Sequence, residues 1–147
     1  MSQIKLSVVL PVFNEEGNLD LIYEEMRVVF TELACTYEII FVDDGSLDGS
    51  LTILREIQQK DSNVRVIQFR RNFGQTAALA AGFAIARGQV IVTLDADCQN
   101  DPRDIPIMLK KLEEGYDLVC GWRYRRQDNY FSRTLPSKIA NFIIRSE

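Results

Sequence analysis

Two aspartates separated by one residue, Asp95 and Asp97, follow an apolar run typical of a buried strand at residues 90–94. A carboxylate at the end of a buried strand is costly unless a partner compensates its charge. Residues i and i+2 of an extended segment project to the same side, so the two carboxylates form an anionic pair. Gln99 adds a neutral oxygen at the next same-side position. These three side chains are suitable ligands for a divalent metal, although Asp-x-Asp alone is a weak pattern.

A second acidic pair, Asp43 and Asp44, ends another strand-like run and precedes Gly45. The glycine permits a tight turn, and Ser46 or Asp48 is a candidate cap for the helix that follows. A turn and a cap explain one acidic residue, but they do not explain two adjacent ones. A ligand-binding role and a purely structural role are therefore both open for this pair.

Asn14 and Glu15 follow the first apolar run, residues 6–13. Pro11 is expected near the end of that strand because proline cannot donate to a central ladder. Asn14 is well explained as the N-cap of the next helix, and Glu15 as a first-turn carboxylate. Their types alone do not separate these roles from ligand binding.

The elements that position these residues alternate between strands and helices, which predicts right-handed crossovers and a mainly parallel sheet with helices on both faces. In such a Rossmann-like α/β sheet the carboxyl edge is the ligand edge. Both acidic pairs, the Asn14-Glu15 turn and Arg123 are expected at that edge. Gly88 and Gly115 are predicted to end the third and fourth helices. The predicted strands are residues 6–13, 38–42, 64–69, 90–94 and 117–121, and the predicted helices are residues 14–33, 51–59, 76–87, 101–112 and 132–144.

The length and composition fit one soluble domain covering residues 1–147, since 46% of the residues are hydrophobic and 26% are charged. The net charge of −4 argues against a nucleic-acid partner. Residues 123–147 carry six basic and two acidic side chains, so the earlier part is strongly acidic. This polarity suits an anionic ligand or an acidic membrane surface at the C-terminal part, and a solvated basic helix explains it equally well.

Histidine is absent from the sequence, which removes histidine-based general-base catalysis and histidine-rich metal sites. The three cysteines, Cys35, Cys98 and Cys120, have no metal-ligand or redox spacing, so reduced structural thiols are expected. No run approaches the ~18–20 apolar residues of a membrane span, and the N-terminus lacks a signal-peptide pattern. The expected compartment is the cytoplasm.

Glycine motifs that cradle phosphates are missing from the sequence. Phosphate binding would then depend on a metal held by the aspartates and on arginines, with Arg123 as the first candidate. A metal at that position stabilises the charge that develops on a departing diphosphate.

Taken in order, these motifs resemble glycosyltransferase family 2, whose members have the GT-A fold. The resemblance extends over essentially the whole chain and is closest to the branch that transfers sugars to polyprenyl phosphates. The motifs that carry it are residues 8–16, Val42-Asp43-Asp44-Gly45-Ser46, Arg71-Asn72-Phe73-Gly74-Gln75, Leu94-Asp95-Ala96-Asp97, residues 99–102 and residues 136–142.

The resemblance implies a role for each matching residue. Asp95, Asp97 and Gln99 would hold Mg²⁺ or Mn²⁺ on the donor diphosphate, near the main chain of Ala96. Arg123 would contact the donor phosphate, and Arg133 and Ser137 would meet the lipid phosphate. The residues that would hold the nucleoside are Pro11, Phe13, Glu15, Val42 and Asp44.

The resemblance also implies the reaction. Family members move the sugar in one inverting displacement from a UDP- or GDP-linked donor to the lipid phosphate. Because that phosphate is already ionised at neutral pH, no strong general base is required. The expected partners are the nucleotide sugar, a polyprenyl phosphate and the cytoplasmic face of a membrane.

Two features depart from the branch. Cys98 stands where leucine is usual, and a small buried thiol replaces it conservatively. The family continues beyond the final predicted helix into a segment that contributes further contacts, so this chain is expected to be truncated. Apolar surface exposed in this way would favour homo-oligomers.

Two alternatives come from other functional classes. The first alternative is a non-catalytic module that binds a nucleotide or a protein partner. A phosphoacceptor receiver domain is the other, but it requires the acidic pair after the first strand and a lysine ending the last one. Here Pro11-Val12-Phe13 ends the first strand, and Trp122 follows the predicted fifth.

Overall fold

A computed structural model describes residues 4–121 of the protein, and strands alternate with helices in this part as predicted. Most bounds agree with the sequence pattern to within a few residues, but the first helix begins five residues later than expected. The strands are β1 (Leu6–Val12), β2 (Tyr37–Asp43), β3 (Val64–Gln68) and β4 (Val90–Thr93). The helices are α1 (Leu19–Leu33), α2 (Ser50–Lys60), α3 (Gln75–Ile85), α4 (Ile105–Glu113) and a 3-10 turn at Pro102–Asp104.

The four strands form one parallel sheet in the order β3-β2-β1-β4. β1 lies inside the sheet, where Val9 pairs with Ile40 of β2 and with Thr93 of β4. The Val9 carbonyl accepts a hydrogen bond from the Leu94 N–H, so the main-chain groups of Val9 face β4. Pro11 lies two residues further along β1 and faces the same side, at a level beyond the end of β4. The missing proline N–H therefore breaks no ladder bond. All four carboxyl ends meet at one edge.

Helices cover both faces of the sheet, which confirms the predicted layering. α1, α2 and α4 pack over one face, around core residues such as Leu10 and Phe30. α3 packs alone, among the described helices, on the face that presents Val9. A Cβ at Gly82 of α3 would clash with the Val9 side chain, so small residues are what allow this close approach. Within residues 4–121, no helix combines the length and apolar content needed to cross a bilayer.

A buried carboxylate, Glu38, joins the strands at the amino edge of the sheet, opposite the carboxyl ends. Its Oε1 accepts hydrogen bonds from the Ser7 hydroxyl (2.7 Å) and from the Arg87 main-chain N–H (2.6 Å). Its Oε2 accepts one from Arg65 Nη1 (3.1 Å). Burial alone would raise the pKa of Glu38, but these three hydrogen bonds and the Arg65 charge outweigh it and lower the pKa. Glu38 therefore stabilises the connection between α3 and β4 as an ionised group.

Gly88 was expected to end α3, but the helix ends at Ile85, and that prediction is wrong. The Gly88 N–H instead donates to the Ser7 hydroxyl (2.8 Å), and a Cβ at Gly88 would lie 2.5 Å from the Ser7 nitrogen. The glycine is thus explained by a close approach of two main chains rather than by a helix cap. Gly115, with φ of 104°, follows the end of α4 as predicted.

The predicted fifth strand over residues 117–121 is wrong, because the structure contains no strand there. Its second residue, Leu118, is 78% exposed, and none of the described strands pairs with the segment. A strand gains most of its stability from neighbouring strands and from burial, and a run of three apolar residues does not indicate either. The predicted helix over residues 132–144 lies outside the described residues.

The Glu38 network predicts a stability that depends on pH. Because the pKa of Glu38 is lower in the folded chain than in the unfolded one, its stabilisation is complete above the ordinary glutamate pKa and is lost as the pH falls through the folded value. We expect Glu38→Gln to lower the free energy of unfolding by about 2 kcal/mol at pH 7, the range for hydrogen bonds to a charged group. Chemical denaturation between pH 7 and pH 3 measures this. The wild-type and variant values should converge as the pH falls.

Glu32→Gln is the matched control for that experiment, since it makes the same chemical change on the exposed side of α1. If the free energies of unfolding of wild type and Glu38→Gln differed by the same amount at every pH, Glu38 would not stabilise the fold as an ionised group.

Candidate functional site

A cleft of about 350 Å³ opens at the carboxyl edge of the sheet, between the loops that follow the strands. It gathers most of the residues that the sequence singled out, and its lining comes from the ends of all four strands and the loops that follow them. It is lined by Pro11, Val12, Phe13, Glu15, Asp44, Asn72, Gly74, Gln75, Asp95, Ala96 and Asp97. Asp44 from one acidic pair and both members of the other thus line one crevice, as the parallel topology predicts.

Two of the predicted site residues within the described part of the chain do not line this cleft. Val42 is completely buried in the core beneath α3, so its side chain offers no surface to a ligand. Gln99 is exposed beyond the cleft wall. Arg123, Arg133 and Ser137 lie outside the described residues.

The loop after β1 is held to the loop after β2 by Asn14. The Asn14 side-chain oxygen accepts a hydrogen bond from the Leu47 N–H (2.8 Å), and the Asn14 N–H donates to the Ser46 hydroxyl (3.0 Å). Asn14 adopts a left-handed backbone with φ of 57°, which asparagine tolerates better than most residues. The cap prediction for Asn14 is wrong, because α1 begins only at Leu19. Asn14 fixes the direction in which Phe13 leaves the sheet.

The next two residues continue this contact. The Glu15 N–H donates to the Ser50 hydroxyl (2.9 Å) at the start of α2, and Glu15 Oε2 accepts from the Asn18 side chain (2.7 Å). Glu16 Oε2 accepts from the Gly49 N–H (2.6 Å). Glu15 lies before α1 rather than in its first turn, so its carboxylate is positioned by side-chain contacts at the cleft wall.

The Asp43-Asp44 pair is buried, and each carboxylate accepts hydrogen bonds from a different loop. Asp43 Oδ1 accepts from the Ser46 N–H (3.2 Å) within its own turn. Asp44 Oδ1 accepts from the Phe73 N–H (2.7 Å), and Asp44 Oδ2 accepts from the Gly74 N–H (2.9 Å). Two adjacent carboxylates are thus explained structurally, since one closes the turn and the other holds the loop after β3. A carboxylate oxygen has two acceptor positions, so Asp44 retains capacity toward the cleft.

The loop after β3 also packs tightly against Gly45. This glycine has φ of 73°, and a Cβ there would clash with the main chain of Arg71. The Arg71 guanidinium lies over the Phe73 ring at 4.9 Å from its centroid. Sequence reasoning noted this loop only as part of a motif. The sequence analysis did not predict that Asn72, Gly74 and Gln75 line the cleft. Their position in the loop after a predicted strand could have indicated it, because such loops lie at the ligand edge of a parallel sheet.

Asp95 and Asp97 lie just beyond the end of β4, in a turn rather than in an extended segment. Both line the cleft and are half-buried. The sequence pattern predicted that they project from one side of an extended strand, and in the structure they reach the same cleft from beyond the strand end instead. Asp95 Oδ1 accepts a hydrogen bond from Gln75 Nε2 (2.9 Å), and Asp95 Oδ2 accepts one from Asn100 Nδ2 (3.3 Å). Asp97 Oδ1 accepts one from the Gln99 N–H (3.0 Å).

Cys98 bends the main chain after this pair with φ of 56°. Burial raises the pKa of the Cys98 thiol, and the negative charges of Glu25, Asp97 and Glu15 raise it further. The thiol is therefore protonated at neutral pH, which agrees with a structural role.

The donor set at the cleft fits a divalent cation that is shared with a ligand. Within residues 4–121, no group of three or more acidic or cysteine side chains is arranged to enclose a metal by itself. Asp95 and Asp97 present hard oxygen atoms on one side of an open crevice. Mg²⁺ and Mn²⁺ favour such oxygen ligands, and Mg²⁺ is commonly bound by one or two carboxylates together with substrate phosphates.

The amino-acid sequence matches Glycosyl transferase family 2 over residues 7–147. A dodecaprenyl-phosphate galacturonate synthase from Rhizobium johnstonii is 42% identical over 146 residues, which cover 98% of this chain and 43% of the relative. An undecaprenyl-phosphate 4-deoxy-4-formamido-L-arabinose transferase from Photorhabdus laumondii is 45% identical over 141 residues, which cover 95% of this chain and 43% of the relative. The chain spans less than half the length of both relatives.

Solved structures show the same fold. TarS 1-349 from S. aureus in complex with UDP has a TM-score of 0.60 at 23% identity, covering 76% of this chain and 32% of TarS. The mannosyltransferase PcManGT from Pyrobaculum calidifontis, in complex with GDP-Man and Mn²⁺, has a TM-score of 0.53 at 24% identity, covering 71% of this chain and 30% of PcManGT. The predicted GT-A fold is confirmed, and the receiver-domain alternative is wrong. The chain belongs to glycosyltransferase family 2.

Proposed function

We propose that residues 1–147 form the donor-binding unit of an inverting, metal-dependent glycosyltransferase that moves a sugar from a nucleotide-diphosphate sugar to a polyprenyl phosphate. The observation that carries this proposal is the cleft in which Asp95 and Asp97 face the loops anchored by Asp44 and Asn14. The polyprenyl-phosphate relatives support the acceptor class.

The wall made by Pro11, Phe13, Glu15 and Asp44 is suited to a nucleoside. The Phe13 ring is 43% exposed and offers an apolar surface for a base, while the carboxylates of Glu15 and Asp44 accept hydrogen bonds from base or ribose. Asp44 is held rigidly by two main-chain N–H groups, so it meets a ligand with little loss of conformational entropy.

The opposite wall is suited to the diphosphate. Asp95 and Asp97, with Gln99 and the main chain of Ala96 beside them, would hold Mg²⁺ or Mn²⁺, which supplies Lewis-acid stabilisation of the departing diphosphate. In the displacement, an oxygen of the acceptor phosphate forms a bond to the anomeric carbon as the bond from that carbon to the diphosphate oxygen breaks. The acceptor is already an anion, so the lack of histidine does not hinder the step.

The remaining roles fall on the basic C-terminal part of the chain. Arg123 would contact the donor diphosphate, and Arg133 and Ser137 would bind the lipid phosphate. The six basic residues after position 122 support a location at the cytoplasmic face of a membrane, because the headgroups there are acidic.

A second candidate function is nucleotide-sugar binding without transfer. The observation that favours it is length, since the chain covers 43% of its relatives. A transfer assay with polyprenyl phosphate, Mn²⁺ and a panel of UDP- and GDP-linked sugars separates the two. Glycosyl lipid formed at a rate proportional to protein concentration supports the enzyme, and binding with no product supports the second candidate.

The proposed metal site predicts a specific loss in Asp97→Ala. We expect this variant to bind a UDP- or GDP-linked sugar with the same affinity with and without Mn²⁺, because one of two carboxylates for the cation is gone. Isothermal titration calorimetry in Mn²⁺ and in EDTA measures the difference. The control is Asp104→Ala, which removes an equal charge from the exposed 3-10 turn outside the cleft. A Mn²⁺ effect that survives in Asp97→Ala would count against the site.

The anchoring of the loop after β3 predicts faster amide exchange in Asp44→Asn. An asparagine keeps the shape but offers one acceptor oxygen in place of two, so Phe73 or Gly74 loses its partner. We expect at least about tenfold faster hydrogen exchange at these two amides, which corresponds to roughly 1.4 kcal/mol, together with weaker donor binding. NMR-detected exchange measures it, with the exposed Asp20→Asn on α1 as control. Unchanged protection at both amides would refute the anchoring role.

A further inference from the structure

Two side-chain amides approach the Asp95 carboxylate, one at each oxygen. Gln75 Nε2 donates to Oδ1 from the first residue of α3, and Asn100 Nδ2 donates to Oδ2 from the loop after β4. Gln75 and Asp95 are 20 residues apart in sequence, so this contact joins two different crossovers at the cleft.

The chemical type of these donors matters for a cation site. A neutral amide fixes the orientation of a carboxylate but leaves its full negative charge, whereas a guanidinium or ammonium cancels much of it. Glu38 at the opposite edge of the sheet has Arg65 as a partner, which suits a purely structural carboxylate. Gln75 and Asn100 are neutral donors, so they hold the orientation of the Asp95 carboxylate and add no positive charge of their own.

Gln75 also continues a connected path across the cleft. The Gly74 N–H, directly before it, donates to Asp44, and the Gln75 side chain donates to Asp95. The two acidic walls of the cleft are therefore joined through two consecutive residues at the start of α3. A shift of this helix would move both walls together.

We propose that Gln75 and Asn100 are positioning residues that orient Asp95 for a divalent cation without adding positive charge beside it. The inference rests on the proposed function, because it assumes that Asp95 binds the metal of a nucleotide sugar. Gln75 acts through Asp95, and through Gly74 it couples the cation position to the nucleoside wall held by Asp44.

The test compares two substitutions at Gln75 that differ in charge. Gln75→Leu removes the donor at similar size, and Gln75→Lys keeps a donor but brings a positive charge to Asp95. We expect Leu to weaken Mn²⁺ affinity about tenfold, as partners of metal ligands typically do, and Lys to weaken it at least as much. Mn²⁺ titration followed by electron paramagnetic resonance, with UDP or GDP present, measures the affinity without requiring transfer. Asn100→Ala should weaken it in the same direction.

The control is Gln59→Lys, which adds the same charge on the exposed face of α2 near its C-terminal end. Because Gln75 is exposed, we expect Gln75→Leu and Gln75→Lys to keep the wild-type melting temperature to within a few degrees. Thermal unfolding followed by circular dichroism checks this. Mn²⁺ affinity in Gln59→Lys should equal that of wild type.

The outcomes separate the inference from the proposed function. If Gln75 only ties α3 to the turn after β4, Lys preserves the contact and the wild-type Mn²⁺ affinity, and that result overturns the positioning role. Wild-type affinity in Gln75→Leu overturns it as well. Absence of Mn²⁺-dependent nucleotide binding in the wild-type chain would instead overturn the proposed function, and the inference with it.

Discussion

The carboxylate of Asp44 is the group on which the shape of the candidate site most depends. It is 3% exposed at the end of β2, and its two oxygens accept the main-chain N–H groups of Phe73 and Gly74. A buried carboxylate without partners is strongly unfavourable, so the loop after β3 and the end of β2 stabilise each other. Gly45 makes the contact possible, since any side chain there would meet the main chain of Arg71.

The other loops are fixed by the same kind of interaction, in which a polar side chain satisfies main-chain groups of a neighbouring loop. Asn14 does this between the loops after β1 and β2, and at the amino edge Glu38 does it for the turn that leads into β4. The main-chain N–H groups of the loops lie beyond the strand ladder, so the sheet offers them no carbonyl partner. In each case a side-chain oxygen accepts their hydrogen bond in place of water. The regular sheet therefore supplies the direction of each loop, and these few side chains supply its conformation.

The sequence predicted the parts of this arrangement that depend on periodicity. Continuous apolar runs indicated four parallel strands, and the parallel topology alone brought Asp44, Asp95 and Asp97 to one edge. Contacts distant in sequence could not be predicted, because residue type does not reveal a partner: Asn14 was interpreted as a helix cap, and Gln75 received no role. The wrong strand at 117–121 has the same origin, since a short apolar run is stable as a strand only when another strand pairs with it.

Burial divides the acidic residues of this edge into two groups that the sequence does not distinguish. Asp43 and Asp44 are 1% and 3% exposed and accept fixed main-chain N–H groups, so their conformation cannot change without disrupting the loops. Asp95 and Asp97 are half-buried in a turn beyond the shortest strand, where side chains and solvent can still rearrange around them. Carboxylates gathered at one edge repel one another, and a cation beside the half-buried pair would relieve that repulsion. The rigid pair fixes the loops around the cleft, and the accessible pair keeps the freedom of movement that a cation site requires.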